Sequence, residues 1–450
     1  MSRRNLWSYS PIAGRLVVAL LIAVAAPPAL GQADRRAVFV SNNGNLEGSV
    51  TAFTIAPGGS LTFVNRIVTG SRAALNDPCR GCNAYEIALT PSGRYLATAH
   101  PAGPEDGLTV FAVAANASIR QVIQITMTPT IDGPLDLVWL DEEYLAVAAT
   151  EPTPDRILIF RFNPGVPSLS QVNSYNAGSS SAYLLRHPNG AYLYANDSTN
   201  RVVLAYSIGS GGTLTLIDSE PTGAPFPLEL AITPAGNRMY AAGGISDGGN
   251  KVVGLNVAGD GTLSLIPGSP FVSAGASPSN VFATRDGKFL FVGHGTDATV
   301  RSMGIDAFNG SLLSTGFMFD VGLQGTLGDV ATAPGLMFVT DNSTATDGLM
   351  GIYSFTINAD GSFTQNGPIV STGGIAPRSI AVWIPILKGD MNCDGVVDLV
   401  DEPLFVLAQI DPDGYAAAEP FCSITRADMN MDTLINGDDM QLFVNALLGP

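Results

Sequence analysis

From residue 36 to about 385 the apolar positions fall in short runs of strand length, broken by polar turns. Runs such as LTVFAV (108–113), RILIFRF (156–162), VVLAYSI (202–208), KVVGLNV (251–257) and GIYSFTI (351–357) predict strands. Each follows a turn-and-strand anchor: TPSGRYLAT (90–98), LDEEYLAV (140–147), HPNGAYLYA (187–195), TPAGNRMYA (233–241), TRDGKFLFV (284–292) or APGLMFV (333–339). Before each anchor stands a further apolar run, among them YEIAL, LDLVWL, PLELAI, SNVFA and GDVAT. The anchors recur about every 46–51 residues.

Four short strands per repeat predict a propeller blade, and a blade cannot bury its faces alone. Complete units begin near residues 84, 134, 181, 226, 279 and 327. The N-terminal segment AVFVSNN…VTAFTI…LTFVNRI lacks an innermost strand, and RSIAVWIP (378–385) is an innermost strand without the rest. Pairing the two makes a seventh blade and leaves no open sheet edge at the seam. A row of separate sandwich domains is the competing architecture, and the absence of domain-sized linkers argues against it.

The pattern changes after residue 386. GDMNCDGVVDLVD (389–401) and DMNMDTLINGDD (428–439) each place Asp or Asn at relative positions 1, 3, 5, 9 and 12, the spacing with which a twelve-residue loop surrounds calcium. The first loop offers Asp390, Asn392, Asp394, the Val396 carbonyl, Asp398 and Asp401; the second offers Asp428, Asn430, Asp432, the Leu434 carbonyl, Asn436 and Asp439. Thr433 replaces the glycine expected at position 6, so the second of the two Ca²⁺ sites is expected to be the weaker. An apolar helical segment follows each loop, LFVLAQI and MQLFVNALLG.

Composition narrows the function. Charged residues are 14% and hydrophobic ones 46% of the 450 residues, with 50 Gly and 30 Pro and a net charge of −17. Nucleic-acid partners need Lys/Arg clusters that this chain lacks. Residues 388–450 hold about a dozen carboxylates against two basic residues, Lys388 and Arg426, as a cation-binding unit requires. At the other end, SRR, the apolar run LVVALLIAVAA and the small residues Gly31 and Ala33 predict an export signal cleaved after Ala33. Both the general secretory and the twin-arginine route fit Arg3–Arg4. The run is shorter than a spanning helix, so no membrane span is expected after processing.

Export makes disulfides the default for the four cysteines. Cys393 and Cys422 are placed to bridge the two loops; Cys79 and Cys82 form either a small-loop disulfide or a redox pair.

Two resemblances follow from these residues. The paired loops with their helices resemble a type I dockerin, which implies calcium and a cohesin-like partner and, through the systems dockerins accompany, a glycan-related role in polysaccharide breakdown. Leu399, Val400, Gly437 and Asp438 stand at loop positions 10 and 11, where dockerins carry Ser/Thr-type contacts. The repeat, best seen in HPNGAYLYANDSTNRVVLAYSI (187–208), resembles the lactonase-like, YVTN-type propellers that include bacterial 6-phosphogluconolactonase. That likeness implies a lactonase-type hydrolase using His, Arg and acidic side chains, carried here by His187, Arg186, Asp197 and His294. The run SSSAYLLRHP departs from the Gly-Pro-Arg-His-like run of that family, and Asp197 stands where relatives carry Glu. His187 equally suits the turn that follows it. Asn42, His100, Asp197, His294 and Asp341 all end the second strand of their blades and predict a polar ring on one face, although such residues also simply suit tight hairpins. A phosphate-handling site needs clustered Arg and Lys that the propeller lacks, and 6-phosphogluconolactone is cytosolic, so that activity is not expected.

The expected fold is therefore mainly β: a signal peptide (1–33), a seven-bladed β-propeller (34–386) and a small α-helical, EF-hand-like or dockerin-like domain (387–450). The leading functional expectation is a secreted calcium-binding protein whose propeller is a binding or scaffold module. An extracytoplasmic lactone hydrolase is the competing expectation, and a purely structural surface protein the third.

Overall fold

A computed structural model describes residues 35–448, except 45–47, 70–83, 102–105, 128–131, 152–153, 181–182, 224–225, 245–248, 323–326 and 343–349. The predicted export signal and the Cys79/Cys82 pair lie outside the described residues. Seven antiparallel sheets follow one another along the chain. Their innermost strands are Pro377–Trp383, Ile87–Leu89, Asp132–Trp139, Leu184–Arg186, Leu230–Ile232, Pro278–Ala283 and Leu327–Ala333, which head blades 1 to 7 in that order.

Blade 1 is shared by the two ends of the repeat region. Pro377–Trp383 pairs antiparallel with Ala37–Asn43, matching Trp383 to Ala37 and Ile380 to Val40. The seam predicted from the two incomplete segments is thus present, and the count is seven. Blade 5 is the exception to four strands: Phe271–Val272 also pairs with its third strand, Lys251–Val257.

The middle strands explain the uninterrupted apolar runs. Gly107–Val113 is buried at every position, because each blade packs a neighbour against both faces. One such contact layer joins Leu108 and Val110 of blade 2 to Leu145, Val147, Leu158 and Phe160 of blade 3. Outer strands such as Leu312–Asp320 are mostly exposed instead.

The recurring anchor is a turn between the first two strands. The Gly N–H donates to the carbonyl three residues back in TPSG (Gly93 to Thr90, 2.8 Å), HPNG (Gly190 to His187, 2.8 Å), TPAG (Gly236 to Thr233, 2.8 Å) and TRDG (Gly287 to Thr284, 2.9 Å). All four glycines have positive φ, between 66° and 76°. Gly236 is doubly constrained, since a Cβ there would lie 2.5 Å from the His187 ring of the preceding blade.

Residues after the propeller form three short helices, α1 (Glu402–Ile410), α2 (Pro412–Ala418) and α3 (Met440–Leu448). α1 and α3 were legible from their apolar runs, whereas α2, inside DPDGYAAAEPF, was not anticipated. Phe405 of α1 stacks on Phe443 of α3 with ring centroids 3.9 Å apart. The Cys393–Cys422 disulfide ties the first loop to the segment after α2. Arg36, at the edge of blade 1, donates to the Asp394 carbonyl at 3.4 Å and to the Ala56 carbonyl at 2.6 Å, fastening this unit to the propeller. Among the described residues no helix is long and apolar enough to cross a membrane.

Replacing Gly236 by Ala forces a β-carbon into the His187 ring at a positive φ. We expect Gly236→Ala to lower propeller stability by about 1–3 kcal/mol, read from denaturant unfolding followed by tryptophan fluorescence. An unchanged midpoint would show that the turn relaxes freely.

Candidate active site

Aligning the innermost strands exposes a column that the apolar runs conceal. Ser379, Glu86, Asp136, Tyr183, Glu229, Asn280 and Asp329 occupy the same position in blades 1 to 7, and all seven line one cavity of about 270 Å³ in the centre of the ring. Two residues further on, Val138, Leu185 and Phe282 give the same cavity an apolar wall, as the two-residue period of a strand dictates. Ladder irregularities flank the column at Pro134/Asp136, Pro278/Asn280 and Leu327/Val330; such bulges re-aim side chains next to functional sites.

The column also staples neighbouring blades. Asp136 accepts from the Leu137 N–H (2.6 Å) and, across the seam to blade 4, from the Leu184 N–H (2.5 Å). Asp329 repeats this with Val330 (2.7 Å) and Ile380 of blade 1 (2.9 Å). Asn280 Nδ2 donates to Glu229 Oε2 at 2.7 Å, and the Ser379 hydroxyl donates to Glu86 Oε1.

Two arginines line the same cavity, Arg186 and Arg378, and Arg378 is the one whose charge acts on Glu86 and Asp329. The Arg378 guanidinium lies over the Tyr85 ring, 3.6 Å from its centroid. Among the described residues it makes no ion pair, and its Nε is sealed from solvent with no hydrogen-bond partner. Burial works against its charge, but Tyr85, Tyr183, Glu86 and Asp329 outweigh that and hold the guanidinium protonated.

Burial and mutual repulsion push Asp136, Glu229 and Asp329 well above the usual carboxylate range. Burial raises Glu86 too, but Arg378, the Ser379 hydroxyl and the Ile87 N–H oppose it. Glu86 is accordingly the carboxyl best placed to ionise while the others keep their protons.

The residues singled out from sequence are distributed differently. Of His187, Arg186, Asp197 and His294, only Arg186 borders the cavity. Its guanidinium folds back against Gly190 in its own turn. His187 is buried, with Nε2 at 2.9 Å from the Gly236 carbonyl and Nδ1 accepting from the Asn189 N–H at 3.1 Å, so it clamps two turns together. Asp197 accepts from the N–H and Nδ2 of Asn200 (3.0 and 2.8 Å). His294 meets Ser273 Oγ at 2.9 Å and the Thr299 carbonyl at 3.3 Å, and burial lowers its pKa.

The expected polar ring at the ends of the second strands is real as a repeat but not as a lining. Asn42, His100, Asp197, His294 and Asp341 are all buried one strand out from the channel. They fasten hairpins, as in the 2.8 Å contact of His100 Nε2 with Thr109 Oγ1. His187, Arg186, Asp197 and His294 therefore do not converge on one cavity: Arg186 ends an innermost strand and borders the channel, whereas His187 sits in a turn and Asp197 and His294 end second strands.

In the C-terminal unit the two acidic loops share one hydrogen-bond scheme. Asp390 accepts from the N–H groups of Asp394 and Gly395, and Asp428 from those of Asp432 and Thr433, at 3.0–3.1 Å. Asp401 accepts from Met391, Asn392 and Asp398, and Asp439 from Met429, Asn430 and Asn436. Thr433 adopts φ 73° where Gly395 has 83°. Arg426 pairs with Asp390 at 2.6 Å, and Lys388 approaches Asp428 at 4.0 Å. Among the described residues no three acidic, histidine or cysteine side chains are gathered as metal ligands.

Residues 165–248 match the family described as Lactonase, 7-bladed beta-propeller. The fold is that of the lactonase-type seven-bladed propeller. A Bacteroides uniformis protein provisionally assigned as a 6-phosphogluconolactonase superposes with TM-score 0.63 at 13% identity, covering 78% of this chain and all of its own. A periplasmic gluconolactonase from Pseudomonas aeruginosa gives TM-score 0.60 at 17% identity, covering 77% of this chain and 98% of its own. A protein of unknown function from Desulfotomaculum acetoxidans gives TM-score 0.60 at 16% identity, covering 78% and 100%. No curated protein matches in sequence.

The channel carboxyls set a pH dependence opposite to that of surface acids. Their folded pKa lies above the unfolded value, so between the two the native state binds more protons and stability falls as pH rises. Each such group costs about 1 kcal/mol per pH unit across that interval. Thermal melting of the propeller should therefore drop from pH 5 to pH 8, and Glu229→Gln should flatten the drop. Parallel curves for the variant and the unsubstituted protein would contradict this.

Proposed function

We propose that the propeller is a lactone hydrolase acting in its central channel. The observation that carries this is the half-buried Arg378, without an ion-pair partner among the described residues, facing the carboxyl groups of Glu86, Asp136, Glu229 and Asp329 across one small cavity. Hydrolysis of a lactone needs a donor for the developing oxyanion and a base for the attacking water. Arg378 supplies the first through its in-plane N–H groups. Glu86 takes the proton from water as the oxygen adds to the acyl carbon. A protonated neighbour such as Glu229 gives its proton to the ring oxygen as the acyl C–O bond breaks. The periplasmic gluconolactonase among the structural neighbours supports this reading. So does the Cys393–Cys422 disulfide for the expected export, since such bonds persist outside the cytoplasm.

We infer separately that the C-terminal unit is a calcium-dependent, dockerin-like module, with a cohesin-like protein or a glycan as the proposed partner. Its support is the position-for-position agreement of the two loops. The hard oxygens of Asp390, Asn392, Asp394, Asp398 and Asp401, and of Asp428, Asn430, Asp432, Asn436 and Asp439, suit calcium in kind. Bound calcium would neutralise the loop carboxylates and add to the folding free energy of a unit with a small core.

A pH-stat assay against sugar and aliphatic lactones tests the hydrolase. Arg378→Gln and Glu86→Gln are expected to cut kcat/KM by about 10²–10³-fold, and His187→Ala to act mainly through stability. No turnover across the panel ends the hydrolase reading. Calorimetry of the whole protein tests the module: millimolar Ca²⁺ should raise a second transition, assignable to residues 388–448, without moving the propeller's. Transitions indifferent to Ca²⁺ and to EDTA would end that inference.

A further inference from the structure

We propose that Arg378 is a seat for a single carboxylate, so that the channel holds polyhydroxy monocarboxylates, the product class of the proposed hydrolysis, and turns away ligands bearing a second anionic group. The inference rests on the hydrolase reading for the origin of its ligand and on independent geometry for its charge selectivity.

The seat is defined by what Arg378 lacks. Its face is covered by the Tyr85 ring, yet its edge has no ion-pair partner among the described residues, and Nε is buried without a hydrogen bond. A stacked guanidinium keeps its in-plane donors, and those match the two oxygens of a carboxylate. An unmatched buried donor carries a desolvation cost that a ligand oxygen would relieve.

Nearby carboxyls are held away from that role. Both oxygens of Asp136 and both of Asp329 are taken by backbone N–H groups of two blades. Glu229 is held by Asn280, and Glu86 by Ser379. None can turn onto Arg378 without breaking a link between blades. They therefore stay as fixed polar partners for hydroxyl groups, while Val138, Leu185 and Phe282 offer a surface for the carbon skeleton.

Charge counting sets the limit. Arg186, the other basic residue bordering the cavity, also has its Nε buried without a partner, but its guanidinium lies against Gly190 in its own turn, and Asp141 is the charge acting on it. A phosphate on the far end of a sugar acid would thus meet carboxyl groups rather than a second cation. The volume of about 270 Å³ is at the small end for ligand pockets, which suits a monosaccharide acid and not a polymer. Hydrolysis itself delivers the anion to the seat: water adds to the acyl carbon, the ring oxygen leaves with a proton, and the acid formed ionises beside Arg378.

Calorimetric titration of the full-length protein with D-gluconate, sorbitol and 6-phosphogluconate tests this directly. Gluconate should bind at least 10-fold more tightly than either of the others. The preference over sorbitol should vanish in Arg378→Gln and survive in part in Arg378→Lys. Gluconate binding no tighter than sorbitol overturns the seat, and 6-phosphogluconate binding as tightly as gluconate overturns the charge limit. Should Arg378→Gln fail to fold, the three-ligand comparison on the unsubstituted protein still decides both points. Lactone turnover without a gluconate preference sinks the seat and leaves the hydrolase standing. A gluconate preference without turnover on any lactone sinks the hydrolase and leaves a sugar-acid binding site.

Discussion

Everything in this molecule depends on the antiparallel ladder between Pro377–Trp383 and Ala37–Asn43. A blade with two apolar faces has no stable surface of its own, so seven of them must share their faces in a ring. The two halves of blade 1 come from opposite ends of the repeat region, and their pairing leaves no unmatched edge at the seam. The same strand carries Arg378 and Ser379 into the channel. Closure of the fold and completion of the site are therefore one event.

A channel built this way concentrates charge where water is scarce. Four carboxyls point toward the axis, and each has a hydrogen bond that ties its blade to a neighbour or to its own backbone. The bonds hold the ring together, while burial makes ionisation costly. One guanidinium offsets part of that cost for Glu86. An unlike pair, a cation that stays charged and carboxyls that mostly do not, is the arrangement from which acid–base chemistry at one site can be drawn. Stability is lowered at the pH where the site is most ionised, as often happens where residues serve function as well as fold.

The C-terminal unit uses different physics. Its core is small: the Phe405–Phe443 stack, Tyr415 donating to the Met391 carbonyl at 2.9 Å, and a disulfide. Backbone N–H groups converge on Asp390, Asp401, Asp428 and Asp439, so the turns are organised by carboxylates more than by apolar contact. Arg36 of the propeller and Arg426 of the unit both act on the first loop, and Arg36 links it to the larger domain, while the second loop is mostly exposed and is met by Gln409 and Lys388.

The chain by itself determined the architecture, because architecture is a matter of period. Turn anchors such as TPSG and TPAG recur, the glycine in each is required by a positive φ, and the apolar runs between them are long enough for strands but too regular for helices. The two incomplete ends announced their own pairing, and the loop spacings marked the C-terminal unit as separate. The position of the site was not legible in the same way. Glu86, Asp136, Glu229 and Asp329 each interrupt an apolar run once, and a single polar residue in YEIAL or PLELAI carries no signal until the strands are aligned. His187 and His294 are more conspicuous in chemistry, but their nitrogens are spent on turns and hairpins. Only the closed ring brings seven residues that are far apart in sequence to one axis, and only burial there raises the pKa of ordinary carboxyls beside Arg378.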